Sequence, residues 1–348
     1  MHKQDLTPEA FLQNRSHRTI LDVRSPSEYI YGHIPGAISF PLFDDAERAE
    51  VGTLYKQHSP EAALLRGLEL AGAKMRGYVE DALRLAPQKK VGIYCWRGGQ
   101  RSGSMCWLLS QAGFDVVRLS GGYKEYRHWI LDQFEKKECK LIILGGKTGS
   151  GKTQILQCLK NLGEQIMDLE ARAHHKGSAF GNLGEQAQPS YEQFSNDLFE
   201  DFAGLDSSRP VWLESESKAI GTVQIPTPLW LRICHAPMIE LEVNLEQRIQ
   251  NLVSLYSVYP QEQLAASFQK IAKRLGGVRL KEALEAVHSK NYAEAVSIAL
   301  TYYDKSYRVS LDAMNRGQLH ILKCSHFDPI EIARRLLLMK SKISNDPS

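Results

Sequence analysis

The segment with the clearest capacity for chemistry runs from Tyr94 to Ser102 and places one cysteine in a loop rich in glycine and arginine. A predicted strand over 91–94 leads into this loop, and a helical pattern begins at its end. The loop amides and the positive end of the helix favour an anion, and they also stabilise a thiolate. We therefore predict that Cys95 is a reactive nucleophile, whereas a lone cysteine at a strand end is otherwise a core residue. The residues predicted to surround the anion are Trp96, Arg97, Gly98, Gly99, Gln100, Arg101 and Ser102.

A second segment matches the pattern G-x-x-x-x-G-K-T between an apolar run over 139–144 and a predicted helix over 154–162. In such a loop the backbone amides wrap a diphosphate, Lys152 neutralises its charge and Thr153 can ligate Mg²⁺. The alternative is a glycine-rich turn that binds no ligand, and the strand–loop–helix context disfavours it. The predicted diphosphate-binding residues are Gly146, Lys147, Thr148, Gly149, Ser150, Gly151, Lys152 and Thr153.

Two acidic residues follow a third apolar run, over 211–213. Glu214 and Glu216 would lie on one face if the strand continued through them, and that position suits acids that contact a metal ion or its water. A solvated strand end produces the same alternation, so both interpretations stay open. The metal itself cannot be identified from these residues.

A basic region lies in the last third of the chain. Lys270, Lys273, Arg274 and Lys281 surround a Gly-Gly pair. Three tyrosines follow, at 302, 303 and 307, and basic residues with interleaved aromatics are typical of surfaces that bind single-stranded or loop RNA. Solvated helix faces are the alternative, because surface charge alone is weak evidence.

The elements that position these residues indicate an α/β fold. Strands predicted over 19–24, 38–41, 91–94 and 116–119 alternate with helical patterns, which is typical of a parallel sheet. From residue 245 onward, apolar spacings of three and four predict helices over 262–275, 280–288 and 292–307. We predict domains over 5–137, 138–244 and 245–348, with a short polar linker at 134–138.

Composition limits the class of protein. The chain has 348 residues, of which 43% are hydrophobic and 24% are charged, as in ordinary globular proteins. We expect no membrane-spanning segment and no signal peptide. The six scattered cysteines favour a reducing cytoplasm over a disulfide framework. The net charge of +3 permits a nucleic-acid partner without requiring one.

The first part of the chain resembles the rhodanese family. The resemblance rests on Asp22-Val23-Arg24-Ser25-Pro26-x-Glu28-Tyr29 with Gly32-His33-Ile34-Pro35-Gly36-Ala37, and on Leu119-x-Gly121-Gly122 with Trp129. It implies a parallel-sheet domain in which Cys95 carries a transferable sulfur atom. Arg101 follows Cys95 by six positions, which is also the Cys-x5-Arg-Ser spacing of cysteine-dependent phosphatases. The loop is therefore sized for an anion as large as phosphate.

The combination of both parts resembles the bacterial tRNA 2-selenouridine synthase family, through the cysteine loop, the G-x-x-x-x-G-K-T loop and the segment 212–217. The resemblance implies that geranyl diphosphate alkylates the 2-thio sulfur of a wobble uridine in the tRNA anticodon loop, and that selenophosphate then supplies selenium. It implies no tightly bound cofactor, and it is compatible with Mg²⁺ at the diphosphate. In this interpretation Cys95 accepts selenium, Arg97 and Arg101 hold the phosphate, and an apolar tunnel must hold the geranyl tail. The sequence does not locate that tunnel.

Two other classes of function stay open at this point. One is a sulfurtransferase or cysteine-dependent phosphatase joined to an ATP-dependent kinase or NTPase. The other is a non-catalytic tRNA-binding protein, for which neither Cys95 nor Lys152 would matter.

Overall fold

The computed structural model describes residues 4–313 and 318–344. The chain divides into two compact units between Gln133 and Phe134. This point lies within a continuous helix, Gly122–Lys136, so most of the segment predicted as a linker is helical.

In the described residues, the first unit is built on a parallel sheet with strand order β1-β5-β4-β2-β3. Its inner strands are short apolar runs, as expected when helices cover both faces of a parallel sheet. Leu21, Val91 and Ile93 are fully buried in the resulting core. The strands are β1 (Gln4–Leu6), β2 (Thr19–Asp22), β3 (Ile38–Ser39), β4 (Lys90–Tyr94) and β5 (Asp115–Leu119).

The helices of this unit alternate with its strands, as predicted. Between Pro60 and Leu85 the chain forms two helices, the first ending at Gly72 and the second beginning at Met75. The helices are α1 (Pro8–Asn14), α2 (Pro26–Tyr31), α3 (Asp45–Gln57), α4 (Pro60–Gly72), α5 (Met75–Leu85), α6 (Gln100–Gln111) and α7 (Gly122–Lys136), with a 3₁₀ turn at Arg15–His17.

The second unit contains another parallel sheet, with order β12-β11-β6-β8-β7 in the described residues, and a small antiparallel pair, β9 with β10. The central strand is buried along its whole length and leads directly into the G-x-x-x-x-G-K-T loop. The strands are β6 (Leu141–Gly146), β7 (Gln165–Met167), β8 (Val211–Glu214), β9 (Ala219–Ile220), β10 (Val223–Gln224), β11 (Met238–Val243) and β12 (Leu319–Cys324).

The helices of the second unit fall into two groups. Those packed on the sheet are α8 (Lys152–Asn161), α9 (Leu169–Ala173), α10 (Tyr191–Ala203), α11 (Thr227–His235) and α17 (Pro329–Ser344). Those that follow β11 are α12 (Leu245–Tyr256), α13 (Gln261–Lys270), α14 (Ala272–Leu275), α15 (Gly277–His288) and α16 (Tyr292–Ala313). This second group shares an apolar core around Phe268, Ile271 and Ala283.

The C-terminal region differs from the uniformly helical segment that the sequence predicted. β12 pairs in parallel with β11 over six residues and forms one edge of the sheet. Its buried residues Leu322 and Cys324 pack with Ile332 and Leu336 of α17. The last part of the chain therefore belongs to the same sheet and core as the central strand.

None of the helices in the described parts of the chain is long and apolar enough to cross a membrane.

Candidate functional site

The Cys95 loop lies at the carboxyl end of β4, where the strand passes into α6. Cys95 is 3% exposed, and its thiol donates a hydrogen bond to the hydroxyl of Ser102 at 3.2 Å. That hydroxyl in turn donates to the carbonyl of Gly99 at 3.2 Å. The first turn of α6 therefore fixes the direction of the thiol, as a nucleophile at a helix N-terminus requires.

On the other side of the loop, the backbone of Gly122 lies close to the backbone of Cys95. Gly122 has φ +66°, and a Cβ there would lie 2.3 Å from the carbonyl oxygen of Cys95. The amide of Tyr123 donates to the same oxygen at 2.8 Å, and the amide of Lys124 donates to the Trp96 carbonyl at 2.9 Å. The Gly-Gly of the rhodanese-like signature thus lets the start of α7 hold the cysteine loop.

A buried ion pair supports this region from below. The Arg24 guanidinium donates to both carboxylate oxygens of Asp22, at 2.6 to 3.0 Å, and its carbon lies 3.9 Å from the ring centre of Tyr123. Both charged residues are almost fully buried, and Arg24 also donates to the Gly32 carbonyl. Removing one partner would leave a buried charge unpaired, so these residues act as structural supports.

The two loop arginines make different contacts within the protein. Arg101 donates to both carboxylate oxygens of Glu28, at 2.5 and 3.2 Å, and Arg97 is exposed. Although burial opposes it, the hydrogen bond from Arg101 lowers the pKa of Glu28. The Arg101 charge is therefore already neutralised within the protein, and the phosphate contact predicted for Arg101 stays a prediction. Trp96 is half-buried 5.8 Å from the Tyr123 ring, and Gln100 begins α6.

The G-x-x-x-x-G-K-T loop joins β6 to α8, as predicted. Lys152 is half-buried at the first position of α8, and its ammonium donates to the Gly146 carbonyl at 3.2 Å. This phosphate-binding loop, or P-loop, lines a cavity of about 380 Å³, called here the P-loop cavity. Predicted residues that line it are Gly146, Thr148, Gly149, Ser150, Gly151, Lys152 and Thr153. This site suits a diphosphate because loop amides, a lysine and a helix N-terminus meet there.

Residues from distant parts of the chain hold this loop. Arg248 of α12 is 3% exposed, donates to the Thr148 carbonyl at 2.9 Å and pairs with Asp304 of α16. Asn251 donates to the Gly149 carbonyl at 2.9 Å, and the Tyr307 hydroxyl accepts from the Gly146 amide at 2.9 Å. The roles of Arg248 and Asn251 are not predictable from the sequence, because no local pattern marks a partner about 100 residues away.

Of the two acids predicted to share a strand face, only Glu214 belongs to the strand. β8 ends at Glu214, so Glu216 lies beyond it and does not share its alternation. Glu216 lines the P-loop cavity, whereas Glu214 is fully buried and accepts a hydrogen bond from the Glu170 amide at 2.8 Å. Burial, reinforced by the neighbouring acids, raises the pKa of Glu214 well above its ordinary value.

Glu170 is a candidate site residue that was not predicted from the sequence. It lines the P-loop cavity, and one of its carboxylate oxygens accepts a hydrogen bond from the Thr153 hydroxyl at 3.3 Å. Burial and then the charge of Glu216 raise its pKa to about 8, although Lys152 opposes the shift. The sequence contains a feature from which this position could be predicted. β7 ends three residues before Glu170 and pairs in parallel with β8, so acids that follow the two strands lie at the same edge of the sheet.

Metal binding stays a prediction. Among the described residues, no group of three or more His, Cys, Asp or Glu side chains is arranged to hold an ion. The Thr153 hydroxyl predicted to ligate Mg²⁺ faces Glu170.

The predicted RNA-binding residues lie at the end of α13, in α14 and in the N-terminal half of α15, and all four side chains are exposed. We call Lys270, Lys273, Arg274 and Lys281 the basic cluster. The Arg274 guanidinium carbon lies 5.4 Å from the ring centre of Tyr302, and the guanidinium donates to the Tyr302 hydroxyl.

The other two tyrosines belong to a different place. The Tyr303 hydroxyl accepts from the Ala179 amide at 3.1 Å, and both Tyr303 and Tyr307 line the P-loop cavity. Tyr302 is therefore the tyrosine that the structure brings to the basic cluster.

Comparisons with known proteins match both units. A family model described as the tRNA 2-selenouridine synthase AAA domain matches residues 139–323, and a rhodanese-like domain model matches residues 7–128.

Similar proteins named tRNA 2-selenouridine synthase occur in several bacteria. One from Pseudomonas fluorescens strain Pf0-1 is 35% identical over 342 residues, which covers 91% of this chain and 88% of the relative. One from Bordetella petrii is 34% identical over 345 residues and covers 91% and 86%. One from Hahella chejuensis is 35% identical over 300 residues and covers 78% of each chain.

The pKa of Glu170 predicts a pH dependence of anion binding. With a pKa of about 8, the carboxyl binds a proton at pH 7 and loses it by pH 9, which adds a negative charge beside Lys152. Without divalent metal, binding of inorganic pyrophosphate to the wild type should therefore weaken by about tenfold more over this range than binding to Glu170→Gln. Calorimetric titration of both proteins checks this, since the ionisation of pyrophosphate itself affects both equally. Identical pH profiles of pyrophosphate binding for the two proteins would contradict an ionising Glu170 beside the bound anion.

Proposed function

Because the chain belongs to the tRNA 2-selenouridine synthase family, we propose that it is a transferase that replaces sulfur by selenium at the wobble 2-thiouridine of tRNA. The observation that best supports this is the character of the P-loop cavity. It combines a diphosphate-binding loop with the apolar side chains of Leu252, Leu255 and Leu311. Such a lining suits a diphosphate that carries an apolar group, as geranyl diphosphate does.

In the first step, the 2-thio sulfur of the base attacks the first carbon of the geranyl group. The carbon–oxygen bond breaks, and diphosphate leaves with the bonding electrons. Lys152 and the loop residues line the P-loop cavity, and they would stabilise the additional negative charge that the departing diphosphate acquires. The N3 proton of the base is released to diphosphate or solvent, so the products are S-geranyl-2-thiouridine, diphosphate and a proton. Mg²⁺ held through Thr153 would supply further charge stabilisation.

In the second step, the selenium of selenophosphate attacks C2 of the base, the carbon that carries the geranylthio group. The carbon–sulfur bond breaks, and geranyl thiol leaves after taking up a proton. A selenium–phosphorus bond then remains to be broken. A selenyl-sulfide on Cys95 would need a two-electron oxidant beyond selenophosphate and water, so a route through phosphorus is favoured.

On that route, the Cys95 thiolate attacks phosphorus and the selenium–phosphorus bond breaks toward selenium. This releases 2-selenouridine and leaves a phosphocysteine, which water hydrolyses to phosphate and the free thiol. The Ser102 hydroxyl, 3.2 Å from the sulfur, can stabilise the thiolate by turning its proton from the Gly99 carbonyl to the sulfur. The phosphatase-like spacing of Cys95 and Arg101 suits this step, which requires Arg101 to exchange its contact with Glu28 for the phosphoryl group.

On the same proposal, tRNA contacts the basic cluster, where Tyr302 adds an aromatic ring beside Arg274. Exposed Lys and Arg side chains bind phosphates, and an aromatic ring can stack on an unpaired base of the anticodon loop. The target base must leave its stack to react, and stacking elsewhere in the loop offsets part of that cost.

Variants at the two sites should separate the two steps. Lys152→Ala should raise the activation free energy of geranylation by about 3 kcal/mol, because the diphosphate charge is no longer compensated. This corresponds to a rate that is roughly a hundredfold lower. Cys95→Ala should retain geranylation and lose 2-selenouridine. The measurement is mass spectrometry of tRNA nucleosides from cells that lack the endogenous protein and express each variant.

The matched controls are Lys160→Ala, in the last turn of α8, and Cys106→Ala, buried in α6. Both should restore 2-selenouridine to the wild-type level. Normal 2-selenouridine in the Cys95→Ala cells, or normal geranylation by purified Lys152→Ala, would refute the assigned roles.

Charge reversal in the basic cluster should weaken tRNA binding. Lys273→Glu with Arg274→Glu should lower the affinity and reduce the slope of log K against log salt by about 2, since two phosphate contacts are lost. The control is Arg76→Glu with Arg84→Glu, two exposed arginines of α5. Equal salt slopes for wild type and the cluster variant would show that the basic cluster is a solvated surface.

A further inference from the structure

A second, narrower cavity adjoins the P-loop cavity, and we call it the distal cavity. It measures about 50 Å³ and lies among α12, α13, α15 and α16. Five residues line both cavities: Thr148, Ser178, Leu252, Tyr256 and Tyr303. The distal cavity is therefore reached from the place where the loop would hold a diphosphate.

The lining of the distal cavity excludes most polar ligands. Among the residues that line it there is no charged side chain and no amide side chain. Its deeper wall consists of Leu264, Phe268, Val287, Ala295 and Ala299, all of which are buried. A nucleotide base needs edge-on hydrogen bonds from its pocket, whereas an aliphatic chain needs only apolar surface.

One face of α16 connects the two cavities. Tyr307 contacts the P-loop through the Gly146 amide, and Tyr303 lines both cavities one turn earlier. Ala299, Ala295 and Tyr292 follow at spacings of three and four, all on the lining of the distal cavity. From Tyr303 to Tyr292 this face extends for about 16 Å at 1.5 Å per residue.

From this geometry we infer that the distal cavity receives the far end of the prenyl chain of a diphosphate bound at the P-loop, and that the small side chains of Ala299 and Ala295 give the cavity the depth that admits it. The inference rests on the proposed function in taking a prenyl diphosphate as the ligand. The first isoprene unit lies in the larger P-loop cavity, and the second enters the narrow distal cavity. Small side chains at 299 and 295 leave the space that the chain occupies.

The wild-type protein tests this inference without any variant. Binding of inorganic pyrophosphate, dimethylallyl diphosphate, geranyl diphosphate and geranylgeranyl diphosphate to the full chain is measured by calorimetry. Affinity should rise by at least about tenfold from the five-carbon to the ten-carbon ligand, because additional apolar surface is buried. It should rise no further for the twenty-carbon ligand. A geranyl diphosphate affinity equal to that of dimethylallyl diphosphate would overturn the inference.

Two variants then locate the chain within the cavity. Ala299→Leu, one turn from Tyr303, should reduce geranyl diphosphate affinity by about tenfold or more and leave pyrophosphate and dimethylallyl diphosphate within about threefold. Ala295→Leu, one turn deeper, should have a smaller effect on the ten-carbon ligand. The control is Ala293→Leu, exposed on the same helix, which should bind every ligand like the wild type.

The outcomes separate this inference from the proposed function. If the chain-length dependence disappears in Ala299→Leu, the inference stands, even if the wild type transfers no geranyl group to tRNA and the proposed function fails. If Ala299→Leu keeps the wild-type dependence, or loses pyrophosphate as strongly as geranyl diphosphate while still folded, the inference is wrong. If Ala299→Leu gives either of these results and the wild type transfers geranyl groups to tRNA, the proposed function stands although the inference fails.

Discussion

The buried Arg248 side chain is the contact on which the diphosphate site depends. A loop that turns its amides toward an anion must turn some carbonyls away from it, and buried carbonyls need donors. Arg248 supplies one at Thr148, and its own charge is balanced by Asp304 on α16. The same contact therefore joins the loop to α12 and α16. These two helices also wall both cavities, so the C-terminal helices are part of the ligand site as well as a candidate tRNA surface.

The two candidate sites use the same local geometry and differ in what surrounds it. In each, a buried parallel strand passes through a glycine-containing loop into a helix, at the carboxyl edge of a sheet. Around the Cys95 loop the neighbours are polar, with Glu28 on Arg101 and the Asp22–Arg24 pair below. Around the P-loop the neighbours are apolar helices on one side and acids with raised pKa values on the other. The first arrangement suits a small anion, and the second suits an anion with an apolar tail.

The sequence was most informative where a function depends on neighbours in the chain. The G-x-x-x-x-G-K-T loop, the strands that precede both loops and the α/β class follow from local spacing, and the structure confirms them. Contacts between distant residues could not be predicted in this way. Arg248 resembles any helix arginine in the sequence, Arg101 gives no sign that Glu28 engages it, and β12 is a half-exposed edge strand with weak alternation. The distal cavity is formed by four helices whose apolar spacing predicts only a core.

The central claim is that the P-loop of this chain binds a prenyl diphosphate in preference to a nucleotide. The most direct measurement is displacement of labelled pyrophosphate from the full-length protein by geranyl diphosphate, ATP and GTP. The account predicts that geranyl diphosphate displaces it at concentrations at least about tenfold lower than either nucleotide, because only the prenyl chain finds complementary apolar walls. Displacement by ATP or GTP at lower concentrations than geranyl diphosphate would contradict the account and would favour an ATP-dependent kinase or NTPase.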